Sequence, residues 1–246
     1  MIVDDAKVKR AERFGAIVDL GLAAWAARWP LYIAIAALSV GIEFGVSVVT
    51  RYDPVAFFVI TPIVDGFATA LVTLDVFARF SGNAPALRSL AAEALLRWPV
   101  VTCTLLVVLC CGFFVIPMVT GSAEDTLYGA LILPGLVVMG VLGIVGSIAT
   151  LERALPPLAV PGYSLLRGMI YAAAWPNLGR LAIAGAIAAV PVMAQLVLEQ
   201  WLPARGLDAA RVLFWANAPV DAICLAPLQA FFTYLYLDFT VREQRR

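Results

Sequence analysis

Six stretches of this chain are each about 20 residues or longer and almost wholly apolar: roughly 31–50, 54–78, 99–120, 127–150, 178–200 and 212–238. A helix needs about 20 such residues to cross a bilayer. The expected fold is therefore an all-α integral membrane protein with six transmembrane helices. Composition agrees: 63% of residues are hydrophobic and 14% charged, against roughly 45–50% and 25% in soluble domains. A soluble domain of 246 residues has no core large enough to absorb that excess. One membrane domain, residues 1–246, is expected, with too little chain outside the spans for a soluble one. The N-terminal "MIVDDAKVKRAERFG" is crowded with charges and lacks a cleavage site, so the first span is expected to act as an uncleaved insertion signal.

Basic residues predict the orientation. Lys7, Lys9, Arg10, Arg13 and Arg28 precede the first span, and Arg79, Arg88 and Arg97 lie between the second and third. Arg153, Arg167 and Arg180 lie between the fourth and fifth, and Arg242, Arg245 and Arg246 close the chain. The other side holds Arg51, Arg205 and Arg211, so 14 of 17 basic residues fall on one face. Both termini are expected in the cytoplasm, with the protein in a bacterial inner membrane.

The dipeptide Trp-Pro occurs at Trp29-Pro30, Trp98-Pro99 and Trp175-Pro176, each time at the start of an odd-numbered span. Before each lies a helical apolar stripe: Phe14, Val18, Leu22 and Trp25; Leu87, Leu90, Ala94 and Leu95; Leu166, Met169, Ile170 and Ala173. These read as three amphipathic helices lying in the cytoplasmic headgroup plane, with Trp29, Trp98 and Trp175 as interface anchors. Proline restricts the residue before it and suits a helix start, so Trp-Pro predicts a corner from lying to crossing. The even-numbered spans end in Leu-acid pairs at Asp75, Glu152 and Asp238, each with an Arg following. The pattern predicts a threefold internal repeat with units of roughly 10–80, 84–155 and 161–242. Gly140, Gly143 and Gly146 on the fourth span predict close helix packing. Pro62, Pro117, Pro134, Pro191, Pro219 and Pro227 fall within spans and predict kinks.

"LILPGLVVMGVLGIVGSIATLE", "YSLLRGMIYAAAWPNLGRLAI" and "FFTYLYLDFTVREQRR" together resemble a family. The first is similar to its Pro-Gly span leading to a glutamate, the second to its short helix with Ser and Arg, the third to its closing Tyr-x-Asp-x-x-Arg pattern. The family is that of bacterial six-span proteins resembling the membrane domain fused to glycerophosphodiester phosphodiesterases. The resemblance covers roughly residues 85–246; Tyr163 stands before Ser164 where that family has Arg. It implies a helical membrane module without hydrolysis, since that enzyme's histidine and metal-binding carboxylate cluster has no counterpart here.

The chain contains no histidine, which removes the commonest general base and metal ligand. It has no phosphate-binding Gly-Lys-Ser loop and no nucleophile elbow. Cys103, Cys110, Cys111 and Cys224 all lie in apolar runs and read as small buried side chains. No enzyme activity, cofactor or metal is expected. The zero net charge argues against a nucleic-acid partner.

The acids are more informative. Asp75, Glu152 and Asp238 fall at cytoplasmic span ends, where water or Arg can satisfy them. Asp65 lies about 11 residues from Pro54, Asp221 about 9 from Val212 and Glu43 about 12 from Leu31, all near the midplane. No Lys or Arg shares that depth, and an ionised acid there is costly. Each is expected to be protonated, hydrated or multiply hydrogen-bonded, with Asn217 one turn from Asp221 as a partner. Two readings stay open. In the first, the carboxyl groups are satisfied within the bundle or by a partner. The protein is then a non-catalytic accessory or scaffold subunit, or a lipid-organising module, whose partners are membrane lipids, other integral subunits or a second copy. In the second, Glu43, Asp65 and Asp221 form the path of a small proton- or cation-coupled transporter.

Overall fold

Prolines and backbone breaks set the helix starts. The computed structural model describes residues 14–83, 85–120, 126–152, 156 and 159–244. Its helices are α1 Phe14–Ala27, α2 Trp29–Val49, α3 Pro54–Phe80, α4 Leu87–Thr120, α5 Thr126–Leu151, α6 Val160–Ala173, α7 Trp175–Trp201 and α8 Ala209–Gln244. Among the described residues there is no strand. Six helices (α2, α3, α4, α5, α7 and α8) are long and apolar enough to cross a membrane, making this a multi-pass membrane protein. Of the basic residues counted above, Lys7, Lys9, Arg10, Arg13, Arg153, Arg245 and Arg246 lie outside the described residues.

Pro30, Pro54 and Pro176 occupy the first turns of α2, α3 and α7, where a missing N–H costs nothing and the fixed φ favours the helix. The corner before α2 is made by Arg28 (φ −136°) and that before α7 by Ala174 (ψ 109°), each one residue ahead of Trp. The second corner does not exist: α4 runs unbroken through Trp98-Pro99. Its first turns pack on α3, with Leu90 and Ala94 buried. The Trp98 indole N–H donates to the Ile63 carbonyl, and its ring meets Phe67 at 6.2 Å. Trp98 is thus half-buried against α3, whereas Trp29 and Trp175 are exposed. On α1 and α6 the stripes read from the sequence point away from the bundle, where an apolar face would meet lipid. Ile17, Gly21 and Ala24 of α1 are buried, as are Val160, Ser164, Gly168 and Tyr171 of α6, while Leu22, Leu166 and Met169 face outward.

The spans follow one another around the bundle in chain order, and α8 closes on α2. The even-numbered spans α3, α5 and α8 touch one another at the centre. Their apolar windows are 50%, 50% and 56% buried, against 28%, 17% and 17% for α2, α4 and α7. The bundle thus has three inner and three outer spans. Each short or leading helix packs on an inner span from the neighbouring pair: α1 on α8, the start of α4 on α3, and α6 on α5.

Glycines permit these approaches. A Cβ on Gly140 would stand 2.1 Å from the Leu181 carbonyl oxygen of α7, and one on Gly143 would stand 2.3 Å from the Phe232 ring of α8. One on Gly146 would stand 3.0 Å from the Thr69 methyl of α3. The three glycines therefore face three different helices. Gly185 completes the tightest pair, since its Cβ would lie 1.8 Å from the Leu136 carbonyl oxygen of α5. Backbone cannot yield as a side-chain tip can, so Gly140→Val should destabilise the protein by about 3 kcal/mol. Thermal unfolding in mild detergent checks this; an unchanged midpoint would show that α5 and α7 are not seated this closely.

The cysteine expectation is corrected. Cys103 and Cys110 are exposed and Cys111 and Cys224 half-buried, all as free thiols. The first three belong to α4, an outer span, and on such a helix an apolar residue is as well placed toward lipid as toward the core.

Candidate functional site

Three helices carry polar residues at intervals of four through otherwise apolar sequence. They are Ser39, Glu43 and Ser47 on α2; Thr61, Asp65, Thr69 and Thr73 on α3; and Asn217, Asp221, Gln229 and Thr233 on α8, where Leu225 fills the missing step. Residues four apart share a helix face, and α2, α3 and α8 are mutual neighbours. The stripes meet at Glu43, Asp65 and Asp221, each of which offers a carboxylate oxygen within 4.8 Å of those of the other two.

Among the described residues this cluster has no basic partner, and the Thr61 hydroxyl is its neighbouring donor. Glu43 is 1% exposed, and neither of its oxygens has a hydrogen-bond partner; the same holds for Asp65 Oδ1, Asp221 Oδ2 and the neighbouring Thr61 hydroxyl. Asn217 makes no hydrogen bond to Asp221 among the described residues, which corrects the pairing expected from their one-turn spacing. Three negative charges this close in a low-dielectric interior repel strongly, and no Lys or Arg lies at this depth on the three helices. Protons or a cation must supply the missing positive charge. Carboxylate oxygens alone form a hard donor set, suited to a proton, an alkali ion or an alkaline-earth ion rather than a soft metal.

On the side away from the Leu-acid ends, aromatic rings close over the site. Phe57 and Phe214 are buried with Ala218, and Val40 and Tyr52 pack against them. Phe214 meets Phe57 at 6.3 Å, Phe44 at 5.6 Å and Tyr52 at 6.2 Å. Phe57 precedes Asp65, and Phe214 precedes Asp221, by about two helical turns, or ~11 Å. The α2–α3 connection that delivers Tyr52 is strained, with Arg51 and Tyr52 both left-handed (φ 55° and 59°).

Beside the cluster, at the same depth, a cavity of about 370 Å³ opens among α3, α4, α5, α7 and α8, and Asp65 and Asp221 form part of its wall. Thr69, Gln195 and Gln229 also line it, and the rest is apolar. Beyond it the three inner spans are tied together. Gln229 donates through Nε2 to the Thr73 hydroxyl at 2.8 Å and the Ser147 hydroxyl at 3.0 Å. Thr233 donates to the Gln229 carbonyl at 2.8 Å, and the Ser147 and Thr233 hydroxyls lie 3.1 Å apart. The sequence reading missed this knot by attending to charges; the four-residue spacing of hydroxyls on α3 was its available signal.

The span-end acids stand apart from the cluster. Asp75, ten residues or ~15 Å along α3 from Asp65, accepts from the Tyr32 hydroxyl at 2.7 Å and Arg79 Nε at 3.1 Å, with Arg28 at 3.2 Å. Asp238 is held by Arg180 of α7 and, at 2.8 Å, by Arg242 Nε. Glu152 accepts from the Tyr236 hydroxyl at 2.8 Å. Each latches the end of an inner span to a neighbouring helix. Nearby on α6, burial raises the Tyr171 hydroxyl above its ordinary pKa, so it is a neutral neighbour to the Arg167–Glu243 pair.

Comparison with protein-family models, with curated proteins and with solved structures finds no match to this chain.

Proposed function

We propose that this protein is a small proton- or cation-coupled permease of a bacterial cytoplasmic membrane, with both termini in the cytoplasm. Glu43, Asp65 and Asp221 take up and release the coupling ion. The observation that carries this reading is the convergence, where α2 meets α3 and α8, of three carboxyl groups that each keep a buried oxygen without a hydrogen bond. A purely structural acid is neutralised by cations, as Asp75 is by Arg28 and Arg79, whereas no Lys or Arg on α2, α3 or α8 shares the depth of these three acids. The aromatic closure at one end and the cavity beside the cluster suit a site that exchanges its ion through that cavity.

The test is reconstitution of the purified protein into liposomes with a trapped pH indicator. It should dissipate an imposed proton or sodium gradient faster than empty liposomes do; a rate equal to theirs overturns the proposal.

A second reading, an accessory subunit or homo-oligomer, is favoured by the outer face of α2. There Ala34, Ala37, Gly41 and Gly45 are exposed, and nothing lies within 4 Å of a Cβ built on either glycine. Small residues let helices approach closely in lipid. The mass of the particle extracted in mild detergent decides it: stoichiometric partners support this reading, and a lone monomer removes it.

A further inference from the structure

We infer that the cavity beside the carboxyl cluster binds a small hydrophobic monocation, which reaches it from the bilayer between α7 and α8. This rests on the permease reading and names its substrate class. The only charged residues on the cavity wall, among those described, are Asp65 and Asp221. The facing walls are apolar, with Leu105, Val108, Met139 and Phe232 among them. An anion would be repelled, and a neutral solute would leave the acids unpaired. A bare metal ion would leave most of about 370 Å³ unfilled. A compact organic cation puts its charge on the acids and its apolar body against the walls, the combination that best offsets desolvation on both sides.

The route follows from a second cavity, of about 290 Å³, among α1, α7 and α8. Its lining is apolar and includes Val18, Leu22 and Val190; the last two are exposed. The two cavities share Pro191, Cys224 and Leu228 as walls. Pro191 of α7 and Pro227 of α8 each lie within a helix, where proline removes a backbone hydrogen bond and permits local bending. The partition is thus a few side chains, with a helix-interior proline in or beside it on each adjoining helix.

Tetraphenylphosphonium is the probe, and neutral triphenylphosphine oxide the competitor, on purified protein in detergent. Wild type should bind the cation, and the oxide should not displace it. Asp65→Asn/Asp221→Asn should weaken binding at least about tenfold. So should Gly112→Phe, since Gly112 lines the cavity with open space at its Cβ and lies away from the acids. A readout independent of those variants uses Cys224 in a chain carrying Cys103→Ala, Cys110→Ala and Cys111→Ala. There the probe should slow N-ethylmaleimide modification.

Displacement by the neutral oxide, equal binding by Gly112→Phe, or unchanged Cys224 reactivity would each overturn the inference. If liposomes dissipate their gradient but the probe does not bind, the substrate class falls and the permease reading stands. If neither occurs, both fall.

Discussion

The double replacement Asp65→Asn/Asp221→Asn should reduce gradient-driven ion flux in liposomes by about 100-fold or more, to the background of empty vesicles, while raising thermal stability. The two effects share one cause. Asp65 Oδ1 and Asp221 Oδ2 are buried without partners, beside a glutamate whose two oxygens are equally unsatisfied. Asparagine keeps the shape, removes two of the three ionisable groups and supplies N–H donors that Glu43 can accept from. Each hydrogen bond so gained contributes about 1 kcal/mol, and the mutual repulsion disappears. A site that becomes more stable when its chemistry is removed is one whose destabilisation serves function. Retained flux would show that the carboxyl groups are structural. Lost stability would show that they already satisfy one another through shared protons that an amide cannot replace.

The second large effect is opposite in kind. Asp75→Ala should destabilise the protein by about 3–5 kcal/mol, measured by thermal unfolding in mild detergent, with Asp75→Asn in between. Asp75 is 1% exposed and gathers Arg28, Arg79 and the Tyr32 hydroxyl onto one carboxylate. Truncation takes the shared carboxylate from Arg28 and Arg79, leaves the buried Tyr32 phenol without its acceptor, and loosens α2 and the α1–α2 corner from α3 together. Asparagine keeps an acceptor for Tyr32 but no charge for the arginines. A change under about 1 kcal/mol would mean that water replaces the carboxylate freely, as at an exposed ion pair.

These two aspartates, ten positions apart on one helix, show what could be read from the chain and what could not. Length and hydropathy sufficed for the six spans, because a bilayer imposes a minimum length that little else in a sequence imitates. Depth counting sufficed to bring Glu43, Asp65 and Asp221 to one level. That they meet depended on rotation about each helix axis, and the four-residue stripes containing Thr61, Thr69 and Thr73 held that information. Burial was harder to read. In lipid, apolar character no longer separates inside from outside, so Cys103 and Cys110 were expected in the core and lie outside it. Trp98-Pro99 matched its two counterparts in sequence and differs in structure because the Ile63 carbonyl and Phe67 draw its indole inward. Gly185 carried no pattern at all; only the approach of α5 explains it.

The knot of Gln229, Thr73, Ser147 and Thr233 restricts how this bundle can work as a machine. In water such hydrogen bonds would be traded for solvent; in a hydrocarbon surround they have no substitute. They act as an axle pin through α3, α5 and α8, fixing the rotation and height of each against the others. A working cycle that opened the bundle along its centre would have to draw that pin on every turnover. The outer spans α2 and α7 are instead latched to this hub at one end, by Tyr32 and Arg28 on Asp75 and by Arg180 on Asp238, so any rearrangement that spared the pin would pivot them on those latches.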